Sequence, residues 1–281
     1  MKITYDNIEL DFFNLDTIKS DLTIYPTSWE GKTYGVKLSD EGLPQRVVLS
    51  ISGGCDSASV LYLCCKHFPQ IDWIPYTCRD VNAPKDADAA IQIVEKMQKE
   101  LPNANLRDIR VFEFNDRDPK SWVDADWAIA NMERYKDMTT IGMSKVIQID
   151  KITEDLMLEY DYPLRLDGMS SNPSIEEMEK HGFEHTAEPR RNHEANWPTM
   201  RFTICQPFIN VDKRFIADIF KQSEFMLNEI YPLTRSCVAT ARWTDNFTRT
   251  CGTCFWCYER NWAFGDELYP LYVKPVRKPR R

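Results

Sequence analysis

Apolar and polar positions between residues 46 and 166 change period several times, and each change marks an element. Arg46-Val47-Val48-Leu49-Ser50-Ile51 is a short β-branched run ending in Ser52-Gly53-Gly54, the pattern of a buried parallel strand entering a tight turn. From Asp56 to Phe68, apolar Val60, Leu61, Leu63, Cys64 and Phe68 predict a helix, and Pro69 fits a stop just beyond it. Ile71 to Thr77 reads as a second strand, although Pro75 within it weakens the strand pattern. A helix follows over Asp86 to Leu101, with Ala90, Ile91, Val94 and Met97 on one face, then a third strand over Asp108 to Phe114. A helix-rich stretch from Lys120 to Asp161 leads to a fourth strand at Tyr162 to Leu166. This alternation predicts an α/β fold: a Rossmann-like parallel sheet with helices on both faces.

The flanks are less regular. Residues 1–45 form a lead-in, where Ile3-Thr4-Tyr5 and Thr33-Tyr34-Gly35-Val36 suggest a small strand pair. Residues 170–204 are polar and rich in proline, the composition of a lid or substrate loop. Asp212 to Gln222 is an amphipathic helix carrying Phe215, Ile216, Ile219 and Phe220. The chain divides into the lead-in, an α/β domain over 46–230, a cysteine-rich module over 231–270 and a basic tail over 271–281.

Composition narrows the function classes. At 281 residues, 43% hydrophobic and 28% charged, the chain can bury a sizeable core. No apolar run approaches the roughly 20 residues that span a bilayer, and the N-terminus lacks a signal-peptide pattern, so a cytoplasmic protein is expected. The net charge of −8 argues against broad nucleic-acid binding. Any such contact is confined to the tail, with Lys274, Arg277, Lys278, Arg280 and Arg281, and a solvated end is the plainer reading. Nine cysteines, an odd number without a secretion signal, do not form a disulfide framework.

The sharpest local pattern is Ser52-Gly53-Gly54-Cys55-Asp56-Ser57, between the first strand and its helix. The glycines allow a sharp turn, beyond which helix N-terminal amides face an anion. Ser52 and Ser57 add hydroxyls, and Asp56 can orient the loop or help hold Mg²⁺ beside phosphates. Neither Gly-x-x-x-x-Gly-Lys-Ser/Thr nor Gly-x-Gly-x-x-Gly follows this strand. Without the lysine that grips a transferred γ-phosphate, the loop suits a departing pyrophosphate. The plain alternative is a Ser/Gly turn with Asp56 as helix N-cap. Ser-Gly-Gly-x-Asp-Ser resembles the PP-loop of the N-type ATP pyrophosphatases. These include 7-cyano-7-deazaguanine synthases, NAD and GMP synthetases, tRNA-thiolating enzymes and, more distantly, phosphoadenylylsulfate reductases. The resemblance implies an adenine nucleotide alpha hydrolase-like fold, ATP as cofactor, and nucleotide contacts from Ser52, Gly53, Gly54, Cys55, Asp56 and Ser57.

Cys237, Cys251, Cys254 and Cys257 form a C-x13-C-x2-C-x2-C pattern. Four thiolates at this spacing suit a structural Zn²⁺, and an iron–sulfur cluster uses similar spacing. The stretch Arg235-Ser236-Cys237, then Cys251-Gly252-Thr253-Cys254-Phe255-Trp256-Cys257-Tyr258-Glu259-Arg260, is similar to the zinc motif of 7-cyano-7-deazaguanine synthases. Gln206 to Lys213 and Leu166 to Asn172 resemble further family segments, so the likeness runs from about residue 46 to 264. After Gly168 the family's Tyr-Pro-Asp-Cys-Arg substrate segment has no counterpart, which leaves the acceptor open.

This resemblance implies that ATP adenylates the carboxylate of 7-carboxy-7-deazaguanine or a related acid, and that ammonia displaces AMP. A second adenylation then yields the nitrile. Asp56, Ser57 and Lys213 carry the catalytic roles, Lys213 near the phosphates, and Gly168 allows close nucleotide approach. A homodimer is compatible with the family. Competing readings are nucleic-acid thiolation with Cys55 or Cys205 as sulfur carrier, a phosphoadenylylsulfate-reductase-like enzyme, and a non-catalytic ATP sensor. His181, His185, His193, Arg190 and Arg191 fall in the polar loop, where solvated roles are the plainer expectation.

Overall fold

Val47, Val48 and Leu49 are all fully buried, so the strand they occupy has both faces covered. The computed structural model describes residues 44–115, 164–180, 203–209, 211–237 and 249–265. It adds residue 244 and short stretches within 2–35, 149–160 and 196–198. That central strand is β1 (Arg46–Ser50). The others of its sheet are β2 (Asp72–Asp80), β3 (Arg110–Phe114), β4 (Leu164–Leu166), β5 (Asn196–Pro198) and β6 (Thr203–Cys205). The helices are α1 (Cys55–His67), α2 (Lys85–Glu100), α3 (Ile175–Lys180), α4 (Lys213–Lys221) and α5 (Phe255–Phe264).

The six-stranded sheet runs in the order β3-β2-β1-β4-β6-β5. β1 pairs in parallel with β2 on one side, Arg46 opposite Asp72, and with β4 on the other, Leu49 opposite Leu166. β3 and β6 extend the parallel array, and β5 closes one edge antiparallel to β6. The order reverses between β1 and β4. In an open parallel sheet such a reversal leaves a crevice at the carboxyl ends of the two strands, where ligands bind.

Side chains alternate across the sheet as the strand period requires. Val47 and Leu49 join the larger core with α1, α2 and α4, whereas Val48 meets Tyr76, Ile152 and Leu156 on the opposite face. The predicted parallel sheet with helices on both faces is thus the observed one. α1 has little amphipathic character because ten of its residues, from Cys55 to Cys65, are buried. α4 is strongly amphipathic, and Asp212 caps it by accepting the Arg214 amide at 2.9 Å.

Three differences from the sequence reading have physical causes. Pro75 lies in an interior strand. Trp73, two residues earlier and facing the same neighbour, bonds to Asn105 and Arg107, while the β3 ladder begins only at Tyr76. The donor missing at Pro75 therefore faces a side where the ladder has not yet started. The polar segment 170–204 is not one long loop, since it supplies α3, β5 and the first residues of β6. In the lead-in, Lys2–Tyr5 pairs with Ile8–Asp11 and Thr33–Gly35 with Asp21–Thr23, so each strand finds a local partner. The basic tail, the loop histidines with Arg190 and Arg191, and residues 116–148 lie outside the described residues.

The cysteine-rich module shares the main core. Phe264 of α5 stacks near Tyr231 at 4.6 Å and meets Phe220 of α4 at 5.6 Å. Cys251, Cys257 and Ala263 belong to the same buried cluster.

Candidate nucleotide site and four-cysteine cluster

The loop after β1 turns at Gly53, whose φ of +81° lies in the left-handed region. A Cβ there would stand 2.2 Å from the Asp86 carbonyl oxygen, so the turn is pressed against the start of α2. On its other side the Gly53 carbonyl accepts the Arg235 amide at 2.8 Å. Gly54 is the N-cap of α1, and no side chain caps the helix. Asp56 is the second residue of α1 and not its cap. The first amides of α1 therefore have neither an intrahelical nor a side-chain acceptor, which is the condition for holding an anion. The hydroxyls of Ser52 and Ser57 lie 3.2 Å apart across the turn, and Ser57 donates to the Gly54 carbonyl at 3.1 Å.

Asp56 is the electrostatic centre of this site. Its Oδ2 accepts the Lys213 ammonium at 2.5 Å and the Ser170 hydroxyl at 3.1 Å. Its Oδ1 is buried with no hydrogen-bond partner. Lys213 is the first residue of α4, and its side chain is 8% exposed. Burial alone would lower its pKa, but the Asp56 and Glu259 carboxylates outweigh burial and hold it above the ordinary lysine value. Glu259 lies 3.5 Å from the ammonium. A lysine at a helix start is usually solvated. Here it is a buried cation between two carboxylates.

Gly168, just after β4, is packed on the backbone of α1. A Cβ there would stand 2.6 Å from the Asp56 carbonyl carbon and oxygen and 2.8 Å from the Ser57 amide nitrogen. The close approach this glycine makes in the structure is therefore to the helix that carries Asp56 and Ser57. Gly168→Ala is expected to push β4 and α1 apart, destabilising the protein by roughly 1–3 kcal/mol and weakening ATP binding. Thermal melting and calorimetric ATP titration read the two effects, and unchanged values for both would contradict the account. Beside Gly168, Asp167 accepts Gln206 Nε2 at 2.9 and 3.1 Å and Arg165 at 3.2 Å, which fixes the turn at the crevice floor.

The four cysteine sulfurs converge. Those of Cys237, Cys251, Cys254 and Cys257 all lie within 4.8 Å of one another, at 3.9 Å for Cys251–Cys257 and 3.5 Å for Cys254–Cys257. Tetrahedral sulfurs about 2.3 Å from a Zn²⁺ would be about 3.8 Å apart, so the set fits a tetrahedral metal. The Cys251 amide donates to the Cys237 sulfur at 3.2 Å and the Thr253 amide to the Cys251 sulfur at 3.5 Å. Gly252, with φ of +67°, provides the bend between these donors. Hydrogen bonding with Cys237 and Cys257 raises the Cys254 thiol pKa, so thiolate ligation at this position calls for a cation.

Cys55 and Cys205 are 1% and 0% exposed, and Cys55 Sγ donates to the Thr234 hydroxyl at 3.3 Å. A groove of about 600 Å³ runs beside the loop, lined by Lys85, Asp88, Ala89, Gln92, Leu233 and Arg235. The sequence reading missed Ser170 and Glu259 as partners of this site. Glu259 carried one usable signal: a carboxylate two residues after Cys257, in a helix whose neighbours are largely apolar.

Residues 34–139 match the family model of NAD synthase. A search of curated proteins gives no match by sequence. Among solved structures, the chain is similar to the U34-tRNA thiolase NcsA from Methanococcus maripaludis, at 14% identity, 73% of this chain, 70% of that chain and a TM-score of 0.41. It is similar to NMN synthetase from Francisella tularensis at 12% identity, 83% and 90% coverage and a TM-score of 0.39. For NAD+ synthetase from Burkholderia Pseudomallei the values are 13%, 80%, 77% and 0.40. The matched residues hold β1, its glycine turn, α1 and α2, and the parallel sheet that reverses beside that turn gives the chain an adenine nucleotide alpha hydrolase-like fold with a PP-loop turn at residues 52–57.

Proposed function

We propose that this protein adenylates an acidic acceptor with ATP and releases pyrophosphate from the loop at residues 52–57. One observation carries the reading. Directly after a glycine turn, at an uncapped helix N-terminus, Asp56 is held by Lys213 and Ser170 while its Oδ1 is buried without a partner. A buried carboxylate oxygen calls for a cation, and the neighbouring amides call for an anion. A magnesium-bound pyrophosphate answers both demands.

In this reading Ser52, Gly53, Gly54 and Ser57 surround the departing phosphates, and Asp56 Oδ1 holds the cation. The Cys55 amide adds a donor in the first turn of α1. Mg²⁺ there supplies charge neutralisation on the phosphates. Lys213 holds Asp56 in orientation, so the chain contributes mainly positioning and charge stabilisation. Cys237, Cys251, Cys254 and Cys257 would hold a Zn²⁺ in a structural role.

The acceptor proposed is 7-carboxy-7-deazaguanine, on the resemblance of the cysteine motif to its synthases. Its carboxylate attacks the α-phosphorus, and the bond to pyrophosphate breaks. Ammonia then attacks the acyl carbon, AMP leaves and an amide forms. A second ATP adenylates the amide oxygen, and loss of AMP and a proton leaves the nitrile. The match of residues 34–139 to NAD synthase supports the ATP half of this scheme. Thiolation is disfavoured, because Cys55 and Cys205 are too buried to pass sulfur to a nucleic acid. No helix among the described residues is long and apolar enough to cross a membrane.

The test is incubation with Mg-ATP, ammonia and 7-carboxy-7-deazaguanine, with nucleotide and base products resolved by chromatography. AMP, pyrophosphate and a nitrile are expected. Formation of ADP would defeat the pyrophosphate-loop reading, and AMP formed only with another acid would replace the acceptor.

A further inference from the structure

We propose that Glu259, carried by the helix of the four-cysteine module, is a positioning residue of the pyrophosphate site and acts through Lys213. The inference rests on the ATP-binding reading above and adds a link between that site and the metal module. Cys254 is the N-cap of α5 and Cys257 lies in its first turn, so the cysteine cluster sets where this helix starts. The next residues but one are Glu259 and Arg260, both charged and only 6% and 3% exposed. Burying consecutive charges is costly unless each finds a partner.

Both partners lead to the first turn of α1. Arg260 donates to the Thr234 carbonyl at 2.9 Å, to the Thr234 hydroxyl at 2.7 Å and to the Tyr231 carbonyl at 3.3 Å. Its guanidinium stacks 4.4 Å from the Tyr231 ring. The same Thr234 hydroxyl accepts Cys55 Sγ, at the first residue of α1. Glu259 reaches the second residue instead, through Lys213 to Asp56. One turn of α5 thus holds two successive residues of the pyrophosphate loop helix, by a hydrogen-bonded route through Thr234 and a charged route through Lys213.

The charged route has a specific consequence. Asp56, Lys213 and Glu259 together carry one net negative charge, and the ammonium is shared between two carboxylates. Sharing keeps Lys213 on Asp56 Oδ2 and leaves Oδ1 for a cation. With a neutral side chain at 259, the triad has no net charge and the ammonium has Asp56 as its one carboxylate partner in the triad. It then competes with the cation for that carboxylate.

The test uses the full chain with its bound metal and needs no acceptor. Wild type, Glu259→Gln and Glu259→Asp are titrated with ATP by calorimetry over a series of Mg²⁺ concentrations, with metal content and melting temperature measured alongside. In Glu259→Gln the Mg²⁺ needed for half-maximal ATP binding should rise roughly tenfold, the scale of one lost charge-assisted bond. The cysteine-bound metal should stay at the wild-type level. Glu259→Asp, which keeps the charge, should recover most of the Mg²⁺ response. The proposal is overturned if Glu259→Gln follows the wild-type Mg²⁺ curve, if it loses the cysteine-bound metal, or if Glu259→Asp is as impaired as Glu259→Gln. A wild type that binds no ATP removes the functional reading as well, which separates that failure from this one.

Discussion

Replacing Asp56 with alanine is expected to abolish AMP and pyrophosphate release, lowering turnover by at least about a hundredfold, the scale for losing a preorganised electrostatic contact. The substitution removes the carboxylate oxygen left without a partner, and with it the cation site at the head of α1. The substitution also reaches the packing around the loop. Asp56 is the nearer of two carboxylates holding a buried lysine. Its loss leaves Lys213 with Glu259, at a stability cost of roughly 1–3 kcal/mol. Asp56→Asn separates the two effects, because it preserves shape and can still accept the Lys213 and Ser170 bonds through its carbonyl oxygen. A pyrophosphate-release assay with parallel thermal melts reads both variants. Turnover near wild type in Asp56→Asn would show that no cation depends on this residue.

Cys254→Ser is expected to lose the metal and lower the melting temperature by an amount on the order of 10 °C. Cys254 is both a member of the sulfur cluster and the residue from which α5 starts. That helix also carries Ala263 and Phe264 into the main core and delivers Glu259 and Arg260 to the loop helix. Metal loss should therefore not stay local. ATP affinity should fall together with stability, although Cys254 itself makes no contact with residues 52–57 among the bonds described above. Elemental analysis and melting decide the first part. A protein that keeps its full metal content and wild-type melting would remove Cys254 from the ligand set.

How much could be read in advance differs sharply between parts of the molecule. The run from Arg46 to Ile51, the glycine turn and the helix after it were legible because their signal is local. A strand with an apolar centre, a residue pair able to adopt unusual φ and a helical repeat occur within about twenty consecutive positions. The cysteine cluster was legible for the same reason, as C-x2-C-x2-C places three of its four sulfurs within seven residues. β6 was not legible. It is three residues long and polar at Thr203, and its strand character comes from β4 and β5 on either side. Lys213 was identified as a site residue, but not its burial, since a lysine at a helix start reads the same whether it meets water or a carboxylate 157 positions away.

The sequence alone determined where the chain turns and which residue types stand at the turn, because backbone freedom and hydrophobic period act between near neighbours. The tertiary structure decided what those residues do to one another. It set the reversal of the sheet beside the loop, the seat of Gly168 on α1, and the line from Glu259 through Lys213 to Asp56. These are interactions between groups far apart in the chain. Coulomb energy and desolvation depend on distance and burial in space, quantities that no stretch of consecutive residues contains.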